Sequence, residues 1–374
     1  MMRILILTFH ESPNYGALLQ AYALQKYLRD SGNEAMLIDY RNAARKYSQV
    51  HGLRKIRSVL WSNTVKPLFE SKVRLDRTKR FKDLFFRYSE KAYYSEAELR
   101  ADPPIADVYI TGSDQVWNSR NNNGDLSYFL DFVPAGKKRI SYAPSFGTGK
   151  QSEEYLERIK PHIKEIDFLS VREASGAKIL KEKCGCDALV VCDPVFLLSK
   201  EEWDMIAETP EQGDYILCYY MPGDKLIEKR IKQVAEKLRR RKGYRIVNIG
   251  KKDYDKLRFW EPNKYDFGPL EFVGAIANAA YVVTNSFHGS AFSVLFEKNL
   301  YVPVRYDLAA EKTLNTRIVE MLRVAGREDA LSDSCADIAE ADIQDNARPA
   351  DKRFENYIAF SKEFLHKSIS RSSF

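Results

Sequence analysis

Residues 280–296 constrain the fold most, because they form the pattern of a strand that passes through a tight polar turn into a helix. The apolar start, 281–284, predicts a buried strand, and the apolar end predicts a helix. Between them lies the turn Asn285-Ser286-Phe287-His288-Gly289. Such a turn directs the N–H groups of the first helical turn at one place, with the helix dipole behind them. This arrangement favours an anion, and above all a phosphate.

The side chains of this turn allow two interpretations. In the first, Gly289 lets a ligand approach closely, Ser286 lies beside the ligand, and His288 donates a hydrogen bond or exchanges a proton with it. In the second, Ser286 only caps the helix and His288 is a structural histidine satisfied by its neighbours. The turn chemistry favours the first interpretation.

Short apolar strands and amphipathic helices alternate along the rest of the chain, as in a parallel sheet covered on both faces. Strands are predicted at 4–9, 36–40, 106–111, 140–143, 168–171, 188–192, 215–219, 244–249, 281–284 and 300–304. Helices are predicted at 17–29, 156–166, 225–241, 269–279, 316–324 and 354–367. The fold class is therefore α/β, with two doubly wound domains facing a cleft.

The predicted domains follow from this alternation. Residues 1–198 form an N-terminal Rossmann-like domain, which is expected to bind an acceptor such as a sugar. Residues 199–350 form a C-terminal Rossmann-like domain, which is expected to bind an anionic donor. Residues 351–374 form a C-terminal helix that is expected to pack back on the first domain. A basic helical insertion, 54–87, interrupts the first domain.

The insertion mixes many lysines and arginines with aromatic residues and few acids. A solvated helical face over a hydrophobic stripe explains this composition. The functional alternative is a surface for an anionic acceptor or for phospholipid headgroups, which would give the protein a peripheral membrane contact.

The composition of the chain argues against several other classes of protein. The chain has 374 residues and a net charge of +7, an excess too small to indicate nucleic-acid binding. No apolar run has the length of a membrane span, and the start does not resemble a signal peptide, so a cytoplasmic protein is expected. Five cysteines include a C-x-C pair without a second pair, which predicts reduced thiols and no zinc site. Neither a metal nor a cofactor is expected.

Polar residues at strand ends predict a sugar site in the first domain. Ligands bind at the carboxyl ends of parallel strands, and sugars take polar hydrogen bonds and stack on aromatic rings. The expected acceptor residues are Asn14, Tyr15, Gly16, Ser113, Asp114, Trp117 and Asn118. Asp114 is also a candidate to orient or deprotonate a hydroxyl, although an aspartate that caps a turn is an equal alternative.

Arg172 follows a predicted strand and lies at a strand-to-helix junction. Its guanidinium has the geometry to clamp a carboxylate or a phosphate. The alternative is an ion pair with Glu173 or with another acid nearby. The two alternatives carry similar weight.

Five segments occur in one order: 14–22 (NYGALLQAY), 110–117 (ITGSDQVW), 170–175 (SVREAS), 193–194 (DP) and 284–289 (TNSFHG). Together they resemble the polysaccharide pyruvyl transferase family, over residues 1–305. The resemblance implies transfer of a pyruvyl group from phosphoenolpyruvate to a sugar, with a pyruvate ketal and phosphate as products. It also implies a GT-B-like architecture of two Rossmann-like, doubly wound domains facing a cleft, with Arg172 and His288 holding the donor.

The residues are compatible with this chemistry. Phosphoenolpyruvate carries two anionic groups, for which Asn285, Ser286, His288, Gly289 and Arg172, with Lys312 and Arg317, are the expected donor-binding residues. His288, Arg172 and Asp114 are the expected catalytic residues, and the sugar acceptor is expected to be nucleotide- or lipid-linked. Three alternatives remain open. They are a GT-B glycosyltransferase that uses a nucleotide-sugar, a non-catalytic glycan-binding protein of the same fold, and a phosphate-binding module with another partner. The last explains the helix start at 285–289 but explains the motif 112–118 less well.

Overall fold

The structure is a computed structural model that describes residues 1–42, 72–221, 225–249, 266–304, 316–333 and 344–370. The chain divides into two compact units. The first takes its described residues from Met1–Glu70, Lys82–Leu197 and Tyr357–Phe374, and the second takes them from Ser71–Phe81 and Leu198–Asn356. Among the described helices, none is long and apolar enough to cross a membrane.

The first unit is built on a parallel sheet of five strands. They are β1 (Arg3–Leu7), β2 (Glu34–Tyr40), β3 (Tyr88–Tyr93), β4 (Val108–Thr111) and β5 (Lys138–Ser141), in the order β3-β2-β1-β4-β5. Ile140 also pairs with Phe168, next to a short parallel ladder of β6 (Ser170–Val171) and β7 (Leu189–Val190). The strand order reverses between β1 and β4, so their carboxyl ends flank a switch point.

Helices connect these strands. They are α1 (Tyr15–Asp30), α2 (Lys72–Phe85), α3 (Glu96–Ala101), α4 (Ser119–Asn122), α5 (Glu153–Lys164) and α6 (Ala174–Ile179). The helix α1 begins where the Asn14 side chain accepts a hydrogen bond from the Ala17 N–H, and α1 is buried on all sides from Tyr15 to Gln25. The N-terminal part of α2 belongs to the second unit.

The second unit has its own parallel sheet of five strands. They are β8 (Tyr215–Tyr219), β9 (Arg245–Asn248), β10 (Tyr281–Thr284), β11 (Asn299–Val304) and β12 (Leu331–Asp333), in the order β12-β11-β10-β8-β9. Its helices are α7 (Lys200–Asp204), α8 (Lys225–Lys242), α9 (Pro269–Asn278), α10 (Phe287–Leu295) and α11 (Thr316–Val324). The switch point of this sheet lies between β8 and β10.

The last helix, α12 (Lys352–Ser370), runs from the second unit into the first. In the first unit, the backbone N–H of Cys192 donates to Ser361 Oγ at 2.9 Å. The Lys138 ammonium donates to the Ile369 carbonyl at 2.6 Å. These bonds attach residues 357–370 to β5 and to the segment that follows β7.

The predicted α/β class with two Rossmann-like, doubly wound halves is confirmed by the two parallel sheets. Two strands were not predicted, β3 and β12, and both lie at a sheet edge. Within the predicted insertion, residues 72–81 group with the second unit. Residues 54–71 of the insertion lie outside the described residues.

Candidate functional site

The carboxyl edge of the first sheet brings together motifs that lie far apart in the sequence. The Gln20 amide donates to Thr8 Oγ1 at 2.9 Å, and its oxygen accepts from the Ser113 N–H at 3.2 Å. The Ser113 hydroxyl lies 3.2 Å from the Asp193 carboxylate, which accepts from the Arg172 guanidinium at 2.7 Å. All five side chains are buried. A continuous polar network therefore fixes the loops after β1, β4, β6 and β7.

Arg172 is held in this network by acids. Its guanidinium is 2% exposed, and Glu173 and Asp114 lie at 3.7 Å and 4.0 Å. Burial lowers the pKa of Arg172, but the charges of Asp193, Glu173 and Asp114 raise it, and the net pKa lies above the ordinary value. The ion-pair alternative thus describes the geometry, with Asp193 as the nearest acid, and a contact of Arg172 with a donor stays a prediction.

Two predicted acceptor residues are corrected. Trp117 does not offer its ring to a sugar, because the indole is buried, stacks on Phe129 at 5.2 Å and donates its N–H to the Tyr128 carbonyl at 2.9 Å. Ser113 is also buried, and its hydroxyl donates to the Ala143 carbonyl at 2.9 Å. Both residues build the core beneath the edge of the sheet.

The remaining acceptor candidates differ in exposure. Tyr15 and Gly16 are buried in the first turn of α1, which corrects their predicted contact with a sugar. The Asn14 side chain caps α1, and the Asn118 side chain caps α4 and donates to Gln115 Oε1 at 2.8 Å. Both amides are committed to holding the loops, and a sugar contact for them stays a prediction.

Asp114 keeps partial access to solvent, with 15% of its side chain exposed. It has a left-handed backbone at φ 64°, a conformation that aspartate tolerates better than most residues do. Its carbonyl accepts from the Ser145 N–H at 2.8 Å. Asp114 therefore occupies the turn position that the sequence analysis considered and leaves a carboxylate at the edge of the sheet.

In the second unit, Asn285 joins the carboxyl ends of β10 and β8. Its Oδ1 accepts from the Met221 N–H at 2.7 Å, and its Nδ2 donates to the Met221 carbonyl at 3.3 Å. The amide of Asn285 is thus used to fix the two strand ends that flank the switch point. Its predicted role as a donor ligand stays a prediction.

The turn after β10 starts α10 as the sequence predicts. The Ser286 hydroxyl accepts from the Gly289 N–H at 3.3 Å, so Ser286 is the N-cap of the helix. A Cβ atom at Gly289 would lie 2.7 Å from Thr284 Oγ1 and 3.2 Å from the Tyr219 ring. Gly289 is therefore needed for close packing of α10 on the sheet and does not open space for a ligand.

His288 lies in the first turn of α10, is mostly buried and contacts the Phe287 ring at 5.2 Å. The Arg317 guanidinium, from α11, lies over the Phe287 ring at 5.9 Å from the ring centre. The helix dipole, an imidazole and an arginine thus meet in one region of the second unit. Lys312, the other predicted cation, lies outside the described residues.

The sequence analysis missed two residues near this turn, Tyr219 and Arg74. Burial raises the pKa of Tyr219 to about 12, while the charge of Arg74 and a hydrogen bond to Ser286 oppose the increase. Arg74 lies in the part of α2 that belongs to the second unit. Tyr219 could have been found, because it stands at the carboxyl end of the predicted strand 215–219. Nothing in the sequence indicated that Arg74 belongs to the second unit.

Two arginines explain why α2 joins the second unit. Arg77 binds the buried carboxylate of Glu271 at 2.8 Å, and Arg80 binds Glu208 at 2.8 Å. Arg77 also donates to the Asp266 carbonyl at 3.0 Å. These cations of the predicted insertion hold a helix in place, and a membrane contact through 54–87 stays a prediction.

Three potential metal ligands also lie close together in the first unit, at the ends of β1 and β2. They are His10, Glu11 and Asp39, with ligand atoms within 4.8 Å of one another. Arg41 already binds both oxygens of Asp39 at 2.7 Å, and His10 Nε2 accepts from the Tyr40 N–H at 3.3 Å. These bonds favour an ion-pair cluster over a metal site.

Comparison with known proteins gives a family and a set of similar folds. The model of the family "Polysaccharide pyruvyl transferase" matches residues 14–307. No curated protein matches the chain in sequence.

Three solved structures illustrate the similarity of fold. Methanocaldococcus jannaschii UDP-GlcNAc 2-epimerase, in complex with UDP-GlcNAc and UDP, is 13% identical with a TM-score of 0.45, over 98% of this chain and 91% of that chain. S. aureus MnaA with UDP is 12% identical with a TM-score of 0.45, over 98% of this chain and 97% of that chain. E. coli heptosyltransferase WaaC with ADP is 13% identical with a TM-score of 0.40, over 82% and 88%. With TM-scores below 0.5, these similarities have no bearing on activity or ligand.

Proposed function

Because this chain belongs to the polysaccharide pyruvyl transferase family, we propose that it transfers a pyruvyl group from phosphoenolpyruvate to a sugar of a polysaccharide precursor. The acceptor is a nucleotide- or lipid-linked sugar. The product is a pyruvate ketal across two hydroxyls, and phosphate is released. The observation that carries the proposal is the start of α10, where His288 lies at a helix N-terminus and the Arg317 guanidinium lies over the neighbouring Phe287 ring.

The reaction balances without an external oxidant or reductant. A proton adds to the methylene carbon of phosphoenolpyruvate, and one sugar hydroxyl forms a C–O bond to the neighbouring carbon. The second hydroxyl forms another C–O bond there as the bond to phosphate breaks. The two hydroxyls release two protons. One replaces the proton that was added to the methylene carbon, and the other is taken up by the released phosphate. The steps require one acid and one base.

His288 is the residue that we propose to bind the donor phosphate and to assist proton transfer, since imidazole exchanges protons near neutral pH. Arg317 and Arg74 add positive charge for an anionic donor in the same unit. Asp114, at the edge of the first sheet, is proposed to orient or deprotonate a sugar hydroxyl. Arg172, 4.0 Å from Asp114, is proposed to position that carboxylate.

The test is incubation of the protein with phosphoenolpyruvate and a panel of nucleotide- and lipid-linked sugars. We expect phosphate release that depends on the acceptor, and a product heavier than the acceptor by one pyruvate less one water. His288→Ala is the matched control and should form no product. Transfer of a sugar from a nucleotide-sugar, with none from phosphoenolpyruvate, would instead indicate a glycosyltransferase. Acceptor binding without any phosphate release would indicate a glycan-binding protein.

A further inference from the structure

The net positive charge of the chain resides in one helix. The 18 residues of α8, Lys225–Lys242, contain nine lysines and arginines and two glutamates, a net charge of +7. The whole chain has 59 basic and 52 acidic residues, so 50 of each remain elsewhere and cancel. A small overall excess therefore conceals a strong local one.

The helix α8 has two faces of opposite character. Ile227, Ile231, Val234 and Leu238 are buried in the core of the second unit. The outward face, defined by Lys225, Lys229, Lys232, Glu236, Arg239 and Arg240, follows helical spacing on the opposite side. The Arg239 and Arg240 side chains are 50% and 71% exposed. The apolar face of α8 is thus buried in the core, and the side chains of the outward face are charged.

The needs of the helix itself do not explain the outward face. Cations in the last turn stabilise a helix through its dipole, which accounts for the run Arg239–Arg240–Arg241–Lys242. That effect fades within one turn, so it does not extend to Lys229 or Lys232. Glu236 is paired with Arg239 at 2.9 Å and with Arg240 at 3.4 Å, so its charge is offset locally. Lys242 is also paired, with Asp345 at 2.9 Å. Within the helix itself, the nine cations still outnumber the two glutamates.

We propose that the outward face of α8 docks on the anionic phospholipid surface of a membrane. Its cations extend in one line of about 22 Å, from the helical rise of ~1.5 Å per residue between Lys225 and Arg240. Side chains that radiate from a straight helix match a flat charged surface, whereas a small anion needs donors that converge. Juxtaposed lysines and arginines bind anionic leaflets through charge alone.

A nucleic acid fits the outward face less well. Proteins that bind single strands stack bases on aromatic side chains, and α8 contains no Phe, Tyr or Trp. The rest of the chain is neutral overall, so it adds no further basic surface in net terms. The contact inferred here is peripheral and electrostatic, without insertion of apolar side chains.

The test is sedimentation of the full chain with vesicles of phosphatidylcholine, with or without phosphatidylserine. We expect binding only to the phosphatidylserine vesicles at low ionic strength, and release at about 0.5 M salt, where charges are screened within a few ångströms. The variant Lys229→Glu, Lys232→Glu, Arg240→Glu reverses three charges and should bind more than about a thousandfold more weakly. Lys178→Glu, Lys181→Glu, Lys183→Glu, on an exposed segment of the first unit, changes the net charge equally and should bind like the wild type.

Thermal melting of both variants checks that they fold. If the Glu variant of the three α8 residues unfolds, the corresponding Gln variant replaces it, with an expected loss of about a hundredfold. Transfer to a water-soluble acceptor should be unchanged in the α8 variants, which separates docking from catalysis. The proposal is overturned if the wild type ignores phosphatidylserine vesicles at low salt, or if both triple variants lose binding equally. It is also overturned if duplex DNA displaces the vesicles and the α8 variant loses DNA binding.

Discussion

The carboxyl edges of the two sheets have related topologies and different chemistry. In the first unit, Arg172 lies at the edge with 2% of its side chain exposed, beside Asp114, Glu173 and Asp193. In the second unit, His288 lies at the start of α10, in a unit that also contributes Arg317 and Arg74. The first edge neutralises its own arginine, whereas the second combines a helix dipole with cations. We propose from this comparison that the anionic donor binds at the second edge.

Among the variants that test this comparison, His288→Ala is expected to have the largest effect, a loss of catalytic rate. Loss of a group that binds phosphate and transfers a proton should lower kcat by about 10²- to 10⁴-fold. The thermal midpoint should change little, because α10 keeps its Ser286 cap. Steady-state phosphate release measures the rate. A variant with wild-type kcat would remove His288 from the mechanism.

The next effect concerns stability at the first edge. Asp193→Ala removes the carboxylate that binds Arg172 at 2.7 Å and leaves a buried charge without its nearest partner. The free energy of unfolding should fall by about 3 kcal/mol, as measured by urea denaturation. The matched control is Asp187→Ala, which breaks an exposed pair with Lys181 and should have almost no effect. Equal losses in both variants would contradict a special role for the buried network.

A smaller effect is expected for Gly289→Ala, which tests the packing of α10 on its sheet. The added Cβ would lie 2.7 Å from Thr284 Oγ1, so the first turn of the helix must shift. We expect about 1–3 kcal/mol of destabilisation, and a higher KM for phosphoenolpyruvate. The double variant with Thr284→Ala should recover part of the loss. No recovery in this double-mutant cycle would show that the clash is elsewhere.

The smallest effect is expected in the pH dependence of Tyr219→Phe. Burial raises the pKa of this phenol from 10.0 to about 12, so the group stays protonated at pH 9 in the folded protein. Ionisation of Tyr219 therefore does not change the reaction rate below pH 9, and the pH–rate profile of the variant should have the wild-type shape. Since the folded pKa is the higher one, any stability from the neutral phenol is lost only above about pH 10. A basic limb that disappears in the variant would identify Tyr219 as a base.

Much of the fold could be predicted from the sequence, because buried parallel strands are continuous apolar runs. Strands 215–219 and 281–284 were predicted with the bounds that the structure has. The strand β3, YSEKAY, was missed because an edge strand with polar residues lacks that signal. The basic composition around α2 indicated a solvated face, but the sequence gave no indication that Glu271 and Glu208 bind its arginines.

The candidate site could be predicted only in part. The cap at Ser286 and the helix start were accessible, because they depend on neighbouring residues. The burial of Trp117 was not, since the rings that cover it come from Phe129 and Phe146 in other elements. For Arg172, the ion-pair alternative was considered, but the nearest acid is 21 residues away on another loop. Contacts between distant segments are what a single sequence leaves undetermined.

Calorimetric titration with phosphoenolpyruvate tests most directly whether the second edge holds the donor. The account predicts that the wild type and Asp114→Asn bind the donor with similar affinity. It predicts that His288→Ala, shown to be folded by its thermal midpoint, binds at least about a hundredfold more weakly, as expected for loss of charge-assisted hydrogen bonds to a phosphate. Wild-type affinity in His288→Ala, together with lost affinity in Asp114→Asn, would contradict the account and assign the donor to the first edge.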